Sequence, residues 1–190
     1  MKKASFIIFH FLSQSAFGQT SLGGELQIYP AGVIPSIRFD LSLNEHLNLI
    51  SRVGYNQSNR HDWGKHDSEK GGGFGGGIGF ETLKVFGSEF SLFGRTDFWW
   101  MDLDWENEEI RQFSLEGRST IIRPYSSGST QITVFQPTVG LNYQVPTLRV
   151  LSFGISFGYE INIRTSGDPV GEGGIILVGV QLSRVLQSRL

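Results

Sequence analysis

From Leu151 to Arg164 apolar and polar residues take strict turns. Leu151, Phe153, Ile155, Phe157, Tyr159, Ile161 and Ile163 alternate with Ser152, Gly154, Ser156, Gly158, Glu160, Asn162 and Arg164. A period of two puts every second side chain on the same face of an extended chain, so the stretch reads as a two-faced β-strand. Strands in soluble sheets usually run about 5–6 residues. Fourteen in a row, with bulky apolar groups on one side and charge on the other, suit a wall between lipid and a polar interior.

Seven more segments carry the pattern, giving candidate strands at 21–29, 33–43, 46–57, 71–82, 88–104, 131–145, 148–164 and 174–187. Their connections alternate between short ones (44–46, 83–87, 146–147) and longer polar ones (56–70, 106–130, 165–173), with a short exception at 30–33. An even strand count with short turns at one end and long loops at the other predicts an all-β chain. The expected fold is an eight-stranded antiparallel up-and-down transmembrane β-barrel, with the long loops extracellular. Within the third long loop, the alternation at 112–115 and 120–123 predicts a hairpin continuing beyond the membrane.

One face collects Leu26, Ile28, Ile37, Phe39, Val53, Phe74, Ile78, Leu92, Val139 and Val178, which lipid would see. The other collects Glu25, Arg38, Asp40, Arg52, Glu81, Arg95, Asp97, Glu160 and Arg164. Eight strands enclose an interior only wide enough to be filled by its own side chains. Charges there must pair, because an unpaired buried one costs several kcal/mol. A polar plug is therefore expected, with a narrow ion path along those charges as the alternative. The run GGGFGGGIG at 71–79 has neither the Lys-Ser/Thr of a phosphate loop nor a dinucleotide fingerprint. It reads as a strand with a bare inner face that makes room for the arginines opposite.

Aromatic residues favour the headgroup level. Phe98 and Trp100 fall about where their strand reaches the outer interface, Phe80, Phe90 and Tyr143 near the inner one, and Tyr55 joins the same girdle set. Trp63, Trp105, Phe113 and Tyr125 are the candidate loop-binding residues, and Trp63, Trp99 and Trp105 an alternative carbohydrate-stacking platform.

Lys2 and Lys3, an apolar stretch from Phe6 to Leu12 and the small-residue pattern Ala16-Phe17-Gly18 read as a signal peptide, 1–18, cleaved before Gln19, leaving the barrel at 19–190. A buried N-terminal strand or helix is the alternative. Removing that segment takes the formal charge from −2 to −4. So mildly acidic a chain has no basic stripe for nucleic acid. With no cysteine there is no lipid-anchored N-terminus, disulfide or thiolate metal site. No window approaches the roughly 18 consecutive apolar residues of a membrane helix.

The loop from Arg60 to Glu69 holds two His-Asp pairs, His61-Asp62 and His66-Asp67. A metal needs three or four ligands of fixed geometry, so neither a metal nor any cofactor is expected. His66 and Ser68, with Glu69 or Glu81 as orienter, have the spacing of a strand-borne base and nucleophile. His66-Asp67-Ser68 resembles the His-x-Ser of outer-membrane lipid A deacylases. Those enzymes carry it near the end of the barrel beside a glutamate, whereas here it is central.

Taken together, the leader, the alternating strands, the short inner turns and the long outer loops resemble the small outer-membrane β-barrel proteins, the group with adhesion-linked and OmpA-type barrels. Such barrels usually end in an aromatic residue, and this chain ends Gln187-Ser188-Arg189-Leu190. The resemblance implies a non-enzymatic integral outer-membrane protein, surrounded by outer-membrane lipid. It would act through its extracellular loops on a binding partner or another envelope protein. Two alternatives remain: a lipid-modifying barrel enzyme using His66 and Ser68, and a secreted soluble barrel holding an apolar ligand, with Phe153, Ile155 and Phe157 turned inward.

Overall fold

The computed structural model describes residues 19–62, 64–86, 89–108, 111–115, 118–122 and 125–186, with 111–115, 118–122, 164–165 and 185–186 described as backbone alone. The expected signal peptide lies outside the described residues. Ten strands run in chain order: β1 (Thr20–Tyr29), β2 (Gly32–Asn44), β3 (Leu47–His61), β4 (Ser68–Leu83), β5 (Phe90–Glu108), β6 (Arg111–Leu115), β7 (Arg118–Ile122), β8 (Tyr125–Gln144), β9 (Leu151–Ser166) and β10 (Gly173–Leu186). Eight of them close into an antiparallel barrel in the order β1-β10-β9-β8-β5-β4-β3-β2, while β6 and β7 pair as a separate two-stranded sheet between β5 and β8. The fold is the eight-stranded up-and-down barrel that the alternation predicts, and β6–β7 is the hairpin expected in the third outer loop. The four outermost extensions were not expected at this length: β3 runs on to His61, β4 starts at Ser68, β5 reaches Glu108 and β8 starts at Tyr125.

Alternation decides which residues meet lipid. Leu26, Ile37, Val53, Phe74, Ile78, Leu92, Val139, Phe153, Phe157, Ile176 and Val178 are all exposed on the outer wall. Ile155 is 57% exposed and Glu160 only 3%, which excludes the inverted, soluble arrangement. An outer wall this apolar would aggregate in water and is covered by hydrocarbon.

The apolar band has edges. Near the outer edge Tyr55 pairs with Phe74 and Phe74 with Trp100, so an aromatic row crosses β3, β4 and β5. The Tyr55 and Phe74 rings meet edge to face at 4.9 Å. Near the inner edge Phe90 of β5 lies 5.1 Å from Tyr143 of β8, and Phe80 is exposed on β4, the strand on the other side of β5. Ten residues of strand separate Phe90 from Trp100. At about 3.3 Å per residue and a tilt of about 40° that is roughly 25 Å along the barrel axis, the height of a hydrocarbon core. Above Trp100 the outward positions of β5 become Asp102, Asp104 and Glu106, all exposed.

Candidate functional site

The barrel interior and its outer mouth are where the structure concentrates buried polar chemistry, in three tiers. At the inner end, Arg38 bonds Asp40 at 2.7 Å and Glu81 across the lumen. Glu81 also accepts from Ser91 and from the Asn142 amide at 2.7 Å. This tier forms the floor of a polar vestibule of about 480 Å³ that opens between the short turns.

At mid-height Arg52 donates twice to Asp97, each bond 2.9 Å long, and once to Gln27 at 2.7 Å. Arg95 donates to Asp97 at 3.0 Å and to Glu25 at 3.2 Å. Five side chains from β1, β3 and β5 thus satisfy one another, as buried charges must. The bare inner face of β4 gives them room: a Cβ on Gly77 would collide with the Asp97 carboxylate, and one on Gly75 would stand 2.6 Å from the Trp99 ring. Trp99, fully buried, donates to Gln136 at 2.9 Å, and the Arg52 guanidinium lies 5.2 Å from its ring centroid.

Directly above this level an apolar cluster fills much of the interior, with the buried Asn56 and Ser58 beside it, which corrects the expectation of a wholly polar plug. Ile34, Trp99, Met101, Leu103, Ile132, Val134, Val170 and Leu177 form one buried cluster. The signal was present in the alternation: Met101, Leu103, Ile132 and Val134 occupy inward positions of β5 and β8. Val170 had no such signal, because it belongs to the connection between β9 and β10, which turns down into the barrel.

The third tier closes the mouth. Glu69, fully buried, accepts from the backbone N–H of Gly171 at 3.0 Å and of Lys65 at 2.9 Å, and lies 3.4 Å from Arg60. Arg60 donates as well to Glu160 and to the Gly171 carbonyl. So Glu160 is held by Arg60 of β3, a residue the sequence reading left out of the interior set. The Arg164 side chain lies outside the described residues.

Other expected positions divide. Trp105 is no exposed loop residue: it points into the mouth from β5, nearly buried, with its ring stacked on His66 at 4.2 Å. Trp99 and Trp105 are therefore unable to form a carbohydrate platform. Tyr125 is exposed at the start of β8, and the Glu106 carboxylate beside it pushes its phenol pKa up. Trp63 and the Phe113 side chain lie outside the described residues. His66 has both ring nitrogens engaged, with Asn107 at 3.3 Å and the Pro169 carbonyl at 3.1 Å, while Ser68 stands on the outward face of β4. That geometry does not assemble a nucleophile and its base. No group of three metal-ligating side chains converges among the described residues.

Neither a protein-family model nor a curated protein sequence matches the chain. Similar solved structures are outer-membrane barrels. The attachment invasion locus protein Ail of Yersinia pestis, crystallised with a heparin analogue, aligns at 11% identity and TM-score 0.48 over 88% of this chain and 97% of its own. A major outer membrane protein from Thermus thermophilus aligns at 11% identity and TM-score 0.48 over 88% and 100%. Neisserial surface protein A aligns at 11% identity and TM-score 0.46 over 87% and 94%. At such identity the likeness is one of barrel architecture alone, and what each of those proteins binds remains its own property.

Proposed function

We propose that this chain is a non-enzymatic integral outer-membrane barrel, closed to solutes, that works through its extracellular extension as a binding or envelope-assembly component. One observation carries the proposal. A strand needs about 9–11 residues to cross a bilayer, yet β5 has 19 and β8 has 20. The excess lies beyond Trp100, where the outward side chains are Asp102, Asp104 and Glu106 and where the β6–β7 sheet is appended. Backbone that does not serve crossing presents an ordered wall to whatever lies outside. The filled lumen leaves that wall as the surface on which a partner is met.

Envelope fractionation with gel mobility before and after boiling tests the placement, and planar-bilayer recording tests the closure. The expected result is sedimentation with outer membranes, a boiling-dependent shift, no stepwise conductance, and cleavage within 106–130 by protease added to intact cells. Replacing 106–127 by a short turn should leave insertion intact and abolish cross-links formed on cells through a photoreactive residue at position 129, which the replacement retains and which is exposed on the outward face of β8. Release as a soluble protein, or large conductance steps, overturns the proposal.

A further inference from the structure

The short β1–β2 turn leaves a notch in the outer half of the barrel wall. β1 stops at Tyr29 and β2 begins at Gly32, whereas β3 on one side continues to His61 and β10 on the other begins at Gly173, opposite Glu160 of β9. Behind the notch is a cavity of about 280 Å³, bounded by Pro30, Ala31, Arg60, Glu160, Gly173 and Ile176.

Glu160 is 3% exposed, and its Oε1 has no hydrogen-bond partner. Its other oxygen is bonded to Arg60. Buried polar atoms are almost always satisfied, so an orphan carboxylate oxygen lining a cavity points to a missing donor. Charge points the same way. Arg60 faces both Glu160 and the fully buried Glu69, and the exposed Glu172 lines the cavity as well, so among the described side chains there one guanidinium stands against three carboxylates. The spare charge calls for a cation.

Height in the membrane narrows its source. Tyr159, Ile161 and Ile163 are exposed on the lipid face of β9 beside and above Glu160, and Ile176 is exposed on β10. The notch therefore opens below the top of the apolar band, where a headgroup meets its chain. We propose that it is a lateral binding site for an amphiphile with a primary ammonium head. The head donates to Glu160 Oε1 and the chain lies along Pro30, Ala31 and Ile176. This rests on the membrane placement proposed above and is independent of the extracellular extension.

The test uses the whole barrel in phosphatidylcholine nanodiscs and three probes with a diazirine in the same sixteen-carbon chain: the amine, the alcohol and the carboxylic acid. After photolysis, adducts are mapped by mass spectrometry. The amine is expected to label 30–31 and 173–176 about tenfold more than the other two, the scale of one charge-assisted hydrogen bond. Glu160→Gln should remove that preference. Ile176→Trp, which fills the entrance and leaves every charge in place, should block labelling by the amine and decides the matter if Glu160→Gln does not fold.

Equal labelling by the three probes, adducts spread evenly around the wall, or amine labelling unchanged in the folded variants would overturn the site. A chain that stays out of the nanodiscs would refute the membrane placement itself, which an inserted but unlabelled barrel would not.

Discussion

The inner and outer halves of this barrel are closed in different ways. In the inner half the interior ionic contacts are all made by strand residues, within one strand for Arg38–Asp40 on β2 and Arg95–Asp97 on β5, and between strands for Arg38 with Glu81 on β4, Arg52 on β3 with Glu25 on β1 and with Asp97, and Arg95 with Glu25. In the outer half the strands supply the apolar cluster and, above it, the Arg60, Glu69 and Glu160 tier, and the seal is completed by a connection that folds inward. Val170 is buried in the cluster, Gly171 bonds Glu69, and the Asp168 carbonyl accepts from Thr130 at 2.9 Å. A lumen closed by strands is as stable as the barrel itself. One closed by a connection can open locally while the wall stays intact.

The sharpest way to break the contrast is to remove Asp97. It accepts from Arg52 and Arg95 at once, so Asp97→Ala takes a carboxylate from two buried guanidinium groups and leaves them sharing Glu25 and Gln27. Breaking a buried pair costs about 3–5 kcal/mol, and here the loss should be global. The midpoint of urea unfolding, read by boiling-free gel mobility, should fall accordingly, with Asp97→Asn losing less because its shape and one acceptor remain. A midpoint within error of the parent would show that the mid-height tier does not hold the barrel.

The outer wall comes next. Val178 lies among Ile28 and Ile155 on neighbouring strands, all exposed. An arginine near the bilayer midplane costs about 2–4 kcal/mol, so Val178→Arg should lower folding stability in lipid vesicles by that amount. A neutral outcome would mean that no hydrocarbon covers this face.

What the sequence made legible follows from this geometry. A period of two carries its meaning wherever a strand separates two environments. That is why Leu151–Arg164 announced the wall, and why Arg38, Arg52 and Asp97 could be assigned inward without coordinates. The same rule, carried past Trp100, turns Met101 and Leu103 inward and Asp102 and Asp104 outward, but there the polarity of the two faces is the reverse of that lower on β5, so the apolar residues did not stand out as interior ones. Arg60, Glu69 and Trp105 were harder still. They fall where polar residues crowd into a loop-like composition, and only pairing of β3 with β4 through Arg60–Glu69 and His61–Ser68 reveals continued strands. Val170 and Gly171 were out of reach, since a connection that turns inward obeys no period.

Glu69 sharpens the comparison from the other side. Glu69→Ala leaves the N–H groups of Gly171 and Lys65 without their acceptor, a loss of about 1–3 kcal/mol when such groups are buried. The loss should be local. Hydrogen exchange at Gly171 and proteolysis within 167–172 are expected to accelerate, while the urea midpoint moves far less than for Asp97→Ala. Equal loss of both would make the mouth and the ionic tier one cooperative unit.

The smallest expected effect is the most diagnostic of height. Gln131 of β8 is exposed on the outer wall opposite Asp102, one step above the row that Trp100 closes. Near an interface the cost of an arginine falls to about 0–1 kcal/mol, and the acidic neighbour offsets part of that. Gln131→Arg should therefore be close to neutral in the same vesicles that penalise Val178→Arg. The gap between the two variants measures how far β8 stands clear of the hydrocarbon. If Gln131→Arg proved as costly as Val178→Arg, the bilayer would reach higher on β5 and β8. The acidic row of Asp102, Asp104 and Glu106 would then need a buried counter-charge rather than water.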